Sequence, residues 1–248
     1  MSVDHRIIPV LLIQNGSLVK TVRFRKPTYI GDPINAVRIF NTKEVDELII
    51  LDIEASKSKR GPDFALIQEI VSEAFMPVAY GGGVSTLSDL KKLFHLGVDK
   101  VVINEAALQS NQLIKEAVSI YGSQSIVMSI DVKKGLFGNR RIYRHSLSRF
   151  AKHSLQSILD YAKSLSIGEV VINSVDLDGT MKGMDLELIS LVSKDLDMPV
   201  VALGGVGCVT HLKEALSAGA SAVAAGSFFV FKGKHKAVLI SYQKFSNE

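Results

Sequence analysis

The chain has 248 residues, 47% hydrophobic and 22% charged, with a formal net charge of +4 and one cysteine. That balance excludes a disordered chain and a disulfide-stapled scaffold, and one α/β barrel commonly takes this length as a single domain. No apolar run approaches the roughly 20 residues of a membrane span, so a cytoplasmic protein with no membrane contact is expected. The cationic clusters at 57–60, 140–144 and 232–236 show no pattern of interleaved stacking aromatics, which argues against nucleic acid and leaves anionic small molecules as partners.

In chain order, the spacing predicts a strand near 6–12 and an amphipathic helix over 33–44. The same alternation continues with strand 47–53 and helix 62–74, strand 77–81 and helix 86–96, and strand 100–104 and helix 111–121. It resumes with strand 125–131 and helix 154–166, strand 169–174 and helix 185–196, strand 199–203 and helix 208–218, and strand 222–226 and helix 235–243. Short Val/Ile/Leu runs separated by helical patterns are the signature of parallel strands buried on both faces. Eight such units close into a (βα)8 TIM barrel, and no linker divides it, so residues 1–248 are read as one domain.

The chain also repeats itself. P-V-A-Y-G-G-G-V at 77–84 corresponds to P-V-V-A-L-G-G-V at 199–206, and the same offset of 122 pairs Leu90 with Leu212, Gly97 with Gly219 and Glu47 with Glu169. Two homologous half-barrels, about 1–122 and 123–248, follow from that periodicity.

In such barrels the chemistry sits where strand C-termini meet helix N-termini. Gly82 and Gly83 end the third strand, Gly204 and Gly205 end the seventh, and Gly226 with Ser227 follows the eighth. Bare backbone there can approach an oxyanion, so two cradles on opposite sides of the mouth would suit a ligand with a phosphate at each end. The alternative is that these glycines only make tight turns. The six histidines show no metal-ligand spacing, a structural role is the default for Cys208, and neither a metal nor a cofactor is expected.

R-I-I-P at 6–9, D-E-L-I-I-L-D-I at 46–53, G-G-G-V at 81–84, D-K-V-V-I-N at 99–104, S-I-D-V-K at 129–133 and D-L-D-G-T at 176–180 are ordered along nearly the whole chain. With these motifs the sequence resembles the cyclase subunit of imidazole glycerol phosphate synthase. The resemblance implies a barrel that receives ammonia from a separate glutaminase at its bottom face and uses it at its top face. It assigns Arg6, Glu47, Lys100 and Glu169 to a charged ring across the bottom, the ammonia gate, and Asp99 to the glutaminase interface. It makes Asp131 the catalytic acid or base, and places Lys20, Asn104, Asp178 and Gly179 with the glycine cradles around a phosphate-bearing substrate.

The second catalytic aspartate of that family falls on Leu12, and an isobutyl group can neither take nor give a proton. Glu105, where the family has Thr, would repel a phosphate at the first cradle unless it points away. H-S-L-S-R at 145–149 replaces a Ser-Gly loop, and Leu203 a small polar residue. An intact bottom with an altered top resembles the divergent branch linked to surface polysaccharides. That branch implies a conduit passing ammonia to a sugar amidotransferase that converts an N-acetyl group into an acetamidino group. The alternatives are a working histidine-pathway cyclase, in which Asp131 suffices or Asp52, Asp176 or Asp178 replaces the missing acid, and a scaffold that only activates the glutaminase.

Overall fold

A computed structural model describes residues 5–109, 111–233 and 235–242. Eight parallel strands form a closed barrel: β1 (Arg6–Gln14), β2 (Leu48–Asp52), β3 (Val78–Gly81), β4 (Lys100–Ile103), β5 (Ile126–Lys134), β6 (Glu169–Ser174), β7 (Val200–Leu203) and β8 (Ala222–Ala225). Closure is explicit in the register, since β8 pairs back onto β1 with Arg6 opposite Ala222 and Pro9 opposite Ala225. The ring between is continuous from β1 through β2 to β8.

The period of two along each strand divides the core. Ile8, Val10, Ile49, Ala79, Val102, Val127, Val171, Val201 and Ala224 fill the barrel axis. Ile7, Leu11, Ile13, Leu48 and Ile50 point outward into the layer of helices. Those helices are α1 (Pro33–Thr42), α2 (Phe64–Glu73), α3 (Leu87–His95), α4 (Asn111–Tyr121), α5 (Leu155–Ser164), α6 (Leu186–Asp195), α7 (Val209–Ser217) and the short α8 (Ser227–Val230). Local chemistry starts them where the sequence places a short polar side chain. Asp32, Asp63, Ser154 and Asp185 each accept a backbone N–H in the first turn, and Thr86 with Asp89 makes a capping box. The offset of 122 recurs in the elements themselves: α1 and α5, α2 and α6, α3 and α7, β3 and β7, and β4 and β8 begin and end that far apart.

Three expectations are corrected. Helix 235–243 does not form: within the described residues 231–232 pair with 237–238 as a two-stranded hairpin, and 239–242 run without regular structure; residue 243 lies outside the described residues. The run A-V-L-I is β-branched as well as apolar, so it satisfies an extended segment, and Tyr242 closes it by packing on Phe229 and donating its hydroxyl to the Ile7 carbonyl at 3.3 Å. β1 and β5 each run past their expected ends, because each continues into an antiparallel partner, Ser17–Val22 and Arg140–Arg144 respectively. The first of these hairpins turns on Asn15-Gly16, both at positive φ, the local signal of a tight hairpin turn.

Candidate functional site

At the bottom, four side chains from the starts of β1, β2, β4 and β6 meet on the barrel axis. Arg6 reaches Glu47 at 2.5 Å through Nη1 and Glu169 through Nη2, while Lys100 Nζ lies 2.9 Å from Glu47 and 3.4 Å from Glu169. Each cation touches both carboxylates, so the desolvation of buried charge is repaid by reciprocal pairing. The glutamates are the buried members, 5% and 8% exposed, and the cations face outward. Partial burial works against the Arg6 charge, yet Glu169 and Glu47 hold its pKa above the ordinary arginine range. Asp99 lies beside the ring, exposed, with its carboxylate accepting the Val78 N–H at 2.8 Å, where it caps the start of β3.

At the top, the strand ends open into a cavity of about 1140 Å³ measured out to its mouth. Asp131, at the C-terminal half of β5, is buried in its wall and accepts hydrogen bonds from Asn104 and Asn173, each at 3.1 Å. Burial pushes its pKa up to about 7; the two amides oppose the rise and the nearby charge of Asp178 adds to it. Asp178 is itself raised to about 6 by burial, against the pull of Lys20, Thr21 and the Phe24 backbone. Lys20 is lowered to about 8 by burial, partly restored by Asp178, and its ammonium donates to the Val10 carbonyl at 2.5 Å. Burial thus moves the two acids up and the base down, so all three lie nearer neutrality than the free side chains do, the direction that suits proton exchange.

The sequence-derived residues divide on this geometry. Lys20, Gly82, Gly83, Asn104, Asp131, Asp178, Gly226 and Ser227 line the cavity together, and so do Leu12 and Leu203. The Lys20 ammonium stands 2.5 Å from where a Cβ on residue 226 would be, so glycine there makes room for the cation. Gly204, Gly205 and Gly179 do not line the cavity. A Cβ at residue 205 would lie 2.0 Å from the Gly183 carbonyl, so that glycine serves the packing of neighbouring loops. Of the candidate replacement acids, Asp52 is occupied by Arg60 at 2.8 Å and by the Glu54 and Ala55 N–H groups, and Asp176 by the Lys134 N–H outside the cavity. Of the three, Asp178 lines the cavity with Asp131 and has its pKa raised by burial.

Sequence reasoning missed Asn173, which holds Asp131 from the adjacent strand β6, although N-S-V-D at the end of that strand was a visible polar break in an apolar run. It also missed what restrains Glu105. That carboxylate is engaged by Arg144, by Ser146 at 2.6 Å and by Gln109 at 2.6 Å. Burial alone would raise its pKa, but these partners hold it below the usual carboxylate range. The departures at 105 and at 145–149 are thus linked, Ser146 and the neighbouring Arg144 both engaging Glu105 and bringing the hairpin after β5 onto the rim. His145 completes the rim, edge-on to Phe24 at 4.9 Å and lowered to about 4 by burial and the Lys57 charge. Among the described residues no group of His, Cys, Asp or Glu could hold a metal ion, and no helix is long and apolar enough to cross a membrane.

A closed (βα)8 barrel with an ion-paired floor and a polar, carboxylate-bearing mouth puts its candidate site at the strand C-termini, where barrels of this fold carry their active sites. The chain belongs to the histidine biosynthesis protein family, whose profile matches residues 6–236, and within it to the HisF-like cyclase subunits of imidazole glycerol phosphate synthase. It is 48% identical over 244 residues to a provisionally named imidazole glycerol phosphate synthase subunit hisF2 of Pseudomonas aeruginosa, covering 97% of this chain and 96% of that one. A provisionally named HisF subunit of Leptospira borgpetersenii is 43% identical, covering 96% and 94%. The imidazole glycerol phosphate synthase subunit HisF of Streptomyces coelicolor is 36% identical, covering 93% and 92%. None of these three names refers to sugar amidation, so the relatives favour the cyclase alternative over the amidino-sugar reading.

Proposed function

We propose that this chain is the ammonia-accepting cyclase subunit of an imidazole glycerol phosphate synthase, working with a glutaminase docked at the bottom face. The observation that carries the reading is the joint placement of Asp131 and Asp178 in the top cavity, both raised toward neutrality, so that Asp178 supplies the second carboxyl that Leu12 removes from β1. One protonated and one ionised carboxyl is what paired acid and base chemistry requires. Ammonia would pass the ring of Arg6, Glu47, Lys100 and Glu169 and rise along the apolar axis past Val10, Ile49 and Val102, where a neutral solute meets no charge. Lys20, Gly226 and Ser227 would hold a phosphate of the substrate, and Asn104 and Asn173 keep Asp131 oriented.

The test is direct. The purified chain with ammonium salt should turn over the histidine-pathway ribonucleotide and release the aminoimidazole carboxamide ribotide, and its gene should restore growth of a histidine auxotroph lacking the cyclase subunit. Replacing Lys100 by Met should reduce glutamine-dependent turnover much more than ammonium-dependent turnover.

A second reading is favoured by one observation: Leu12 lines the same cavity where the family places an acid. In that reading the barrel passes ammonia to a sugar amidotransferase, and it does not turn over the ribonucleotide even with saturating ammonium, while its glutaminase still hydrolyses glutamine. A barrel that only activates the glutaminase would keep glutamine hydrolysis and deliver ammonia to no acceptor.

A further inference from the structure

A second cavity, about 580 Å³ measured to its opening, lies outside the barrel rim, between the segment after β4 and the segment leading into α5. Its polar lining is Arg144, Arg149, Lys152 and the imidazole of His153, with Leu108 and Phe150 as apolar walls and no carboxylate in the lining among the described residues. Arg144 is already held by Glu105, which faces the barrel mouth on the other side of the same wall. Arg149, Lys152 and His153 make no ion pair among the described residues. The cavity is followed at once by α5, a helix of 10 residues whose N-cap is Ser154, so the positive end of its dipole adds to the same field.

We propose that this outer cavity is a second anion site, separate from the barrel mouth, that takes a small phosphomonoester with an apolar or aromatic body. The phosphate would meet Arg149, Lys152 and His153, and the body would lie against Leu108 and Phe150. Phe150 is pre-set for this: Arg141 stacks on its ring at 4.5 Å and Tyr143 packs on it edge-on, fixing the ring plane. Concentrated positive charge with an aromatic wall is the arrangement that recognises an anionic head joined to a flat or apolar tail. The assignment does not rest on the cyclase reading.

The test is a nitrogen-15 NMR titration of the full chain with phenyl phosphate, inorganic phosphate and sodium chloride. Saturable shifts of the backbone amides of residues 150–154 are expected with phenyl phosphate, weaker ones with inorganic phosphate, and none that saturate with chloride. Arg149→Gln with Lys152→Gln should weaken the outer response at least tenfold while leaving any response at Gly82, Gly226 and Ser227 unchanged. The single variants serve if the double variant unfolds. Shifts confined to the mouth, an unchanged affinity in the charge variants, or an equal response to chloride would overturn the proposal. A chain that binds phenyl phosphate at 150–154 but no phosphate ester at the mouth would support the outer site and count against the cyclase reading alone.

Discussion

The two ends of this barrel handle buried charge in opposite ways. At the floor, two cations and two carboxylates from four strands satisfy one another, and each glutamate contacts both Arg6 and Lys100. At the mouth, among the described residues, the side-chain donors to Asp131 are neutral amides, and Asp178 and Lys20 influence each other without forming an ion pair within 4 Å. A paired ring is complete without a ligand and can stand as a fixed aperture. An unpaired trio stores its electrostatic cost until a substrate supplies the missing partners, which is where chemistry belongs.

The largest expected effect of breaking this asymmetry is at the mouth. Asp131→Asn should lower ammonium-dependent turnover by roughly 10²–10⁴-fold, the range for loss of a general acid or base. The same substitution should stabilise the protein at pH 8, and the sign is fixed by linkage. The folded pKa of Asp131, about 7, lies above the ordinary aspartate value of 3.8, so the folded state binds more protons between those values. Stability is then greatest below about pH 4 and falls as pH rises through about 7, by an amount on the order of 4 kcal/mol over the whole range. Urea denaturation at pH 5 and pH 8 should show that decline in the parent chain and a flatter profile in the variant.

Next in size is the floor. Glu47→Ala removes a partner shared by the half-buried Arg6 and Lys100, leaves both cations to Glu169 alone and should cost about 1–3 kcal/mol by urea denaturation. Ammonium-dependent turnover of the surviving folded fraction should change little, which separates the floor from the mouth. A smaller effect sharpens the contrast: Leu12→Asp adds a further carboxyl to the cavity beside Asp131 and Asp178 and should cost roughly 1–2 kcal/mol at pH 8, with the deficit shrinking at pH 5 as the carboxyls protonate.

Most of the barrel was legible because its signals are local. Val/Ile-rich runs, helical periodicity between them and a repeat at fixed offset specify β3, β7, α3 and α7 to within a residue or two of their ends. The ring was legible for the same reason, since Arg6, Glu47, Lys100 and Glu169 each sit at a strand start, where the topology itself brings them together. What escaped were contacts between segments far apart in sequence. Asn173 reaches Asp131 across 42 residues, and Arg144 reaches Glu105 across 39. Glu105 alone read as a repulsive charge; only the fold shows that a hairpin from β5 neutralises it. The segment at 235–242 failed for a different reason, since a short apolar run bounded by polar residues fits a helix or an extended stretch equally well, and packing of Tyr242 decided between them.

The most direct measurement is a carbon-13 NMR titration of the aspartate carboxyls, comparing the parent chain with Asp178→Asn. Asp131 should titrate near pH 7 in the parent and at lower pH once the charge at 178 is gone, because that charge helps hold the proton on Asp131. An Asp131 that titrates near the ordinary value of 3.8, or that ignores the change at 178, would contradict the pairing of these two acids at the mouth.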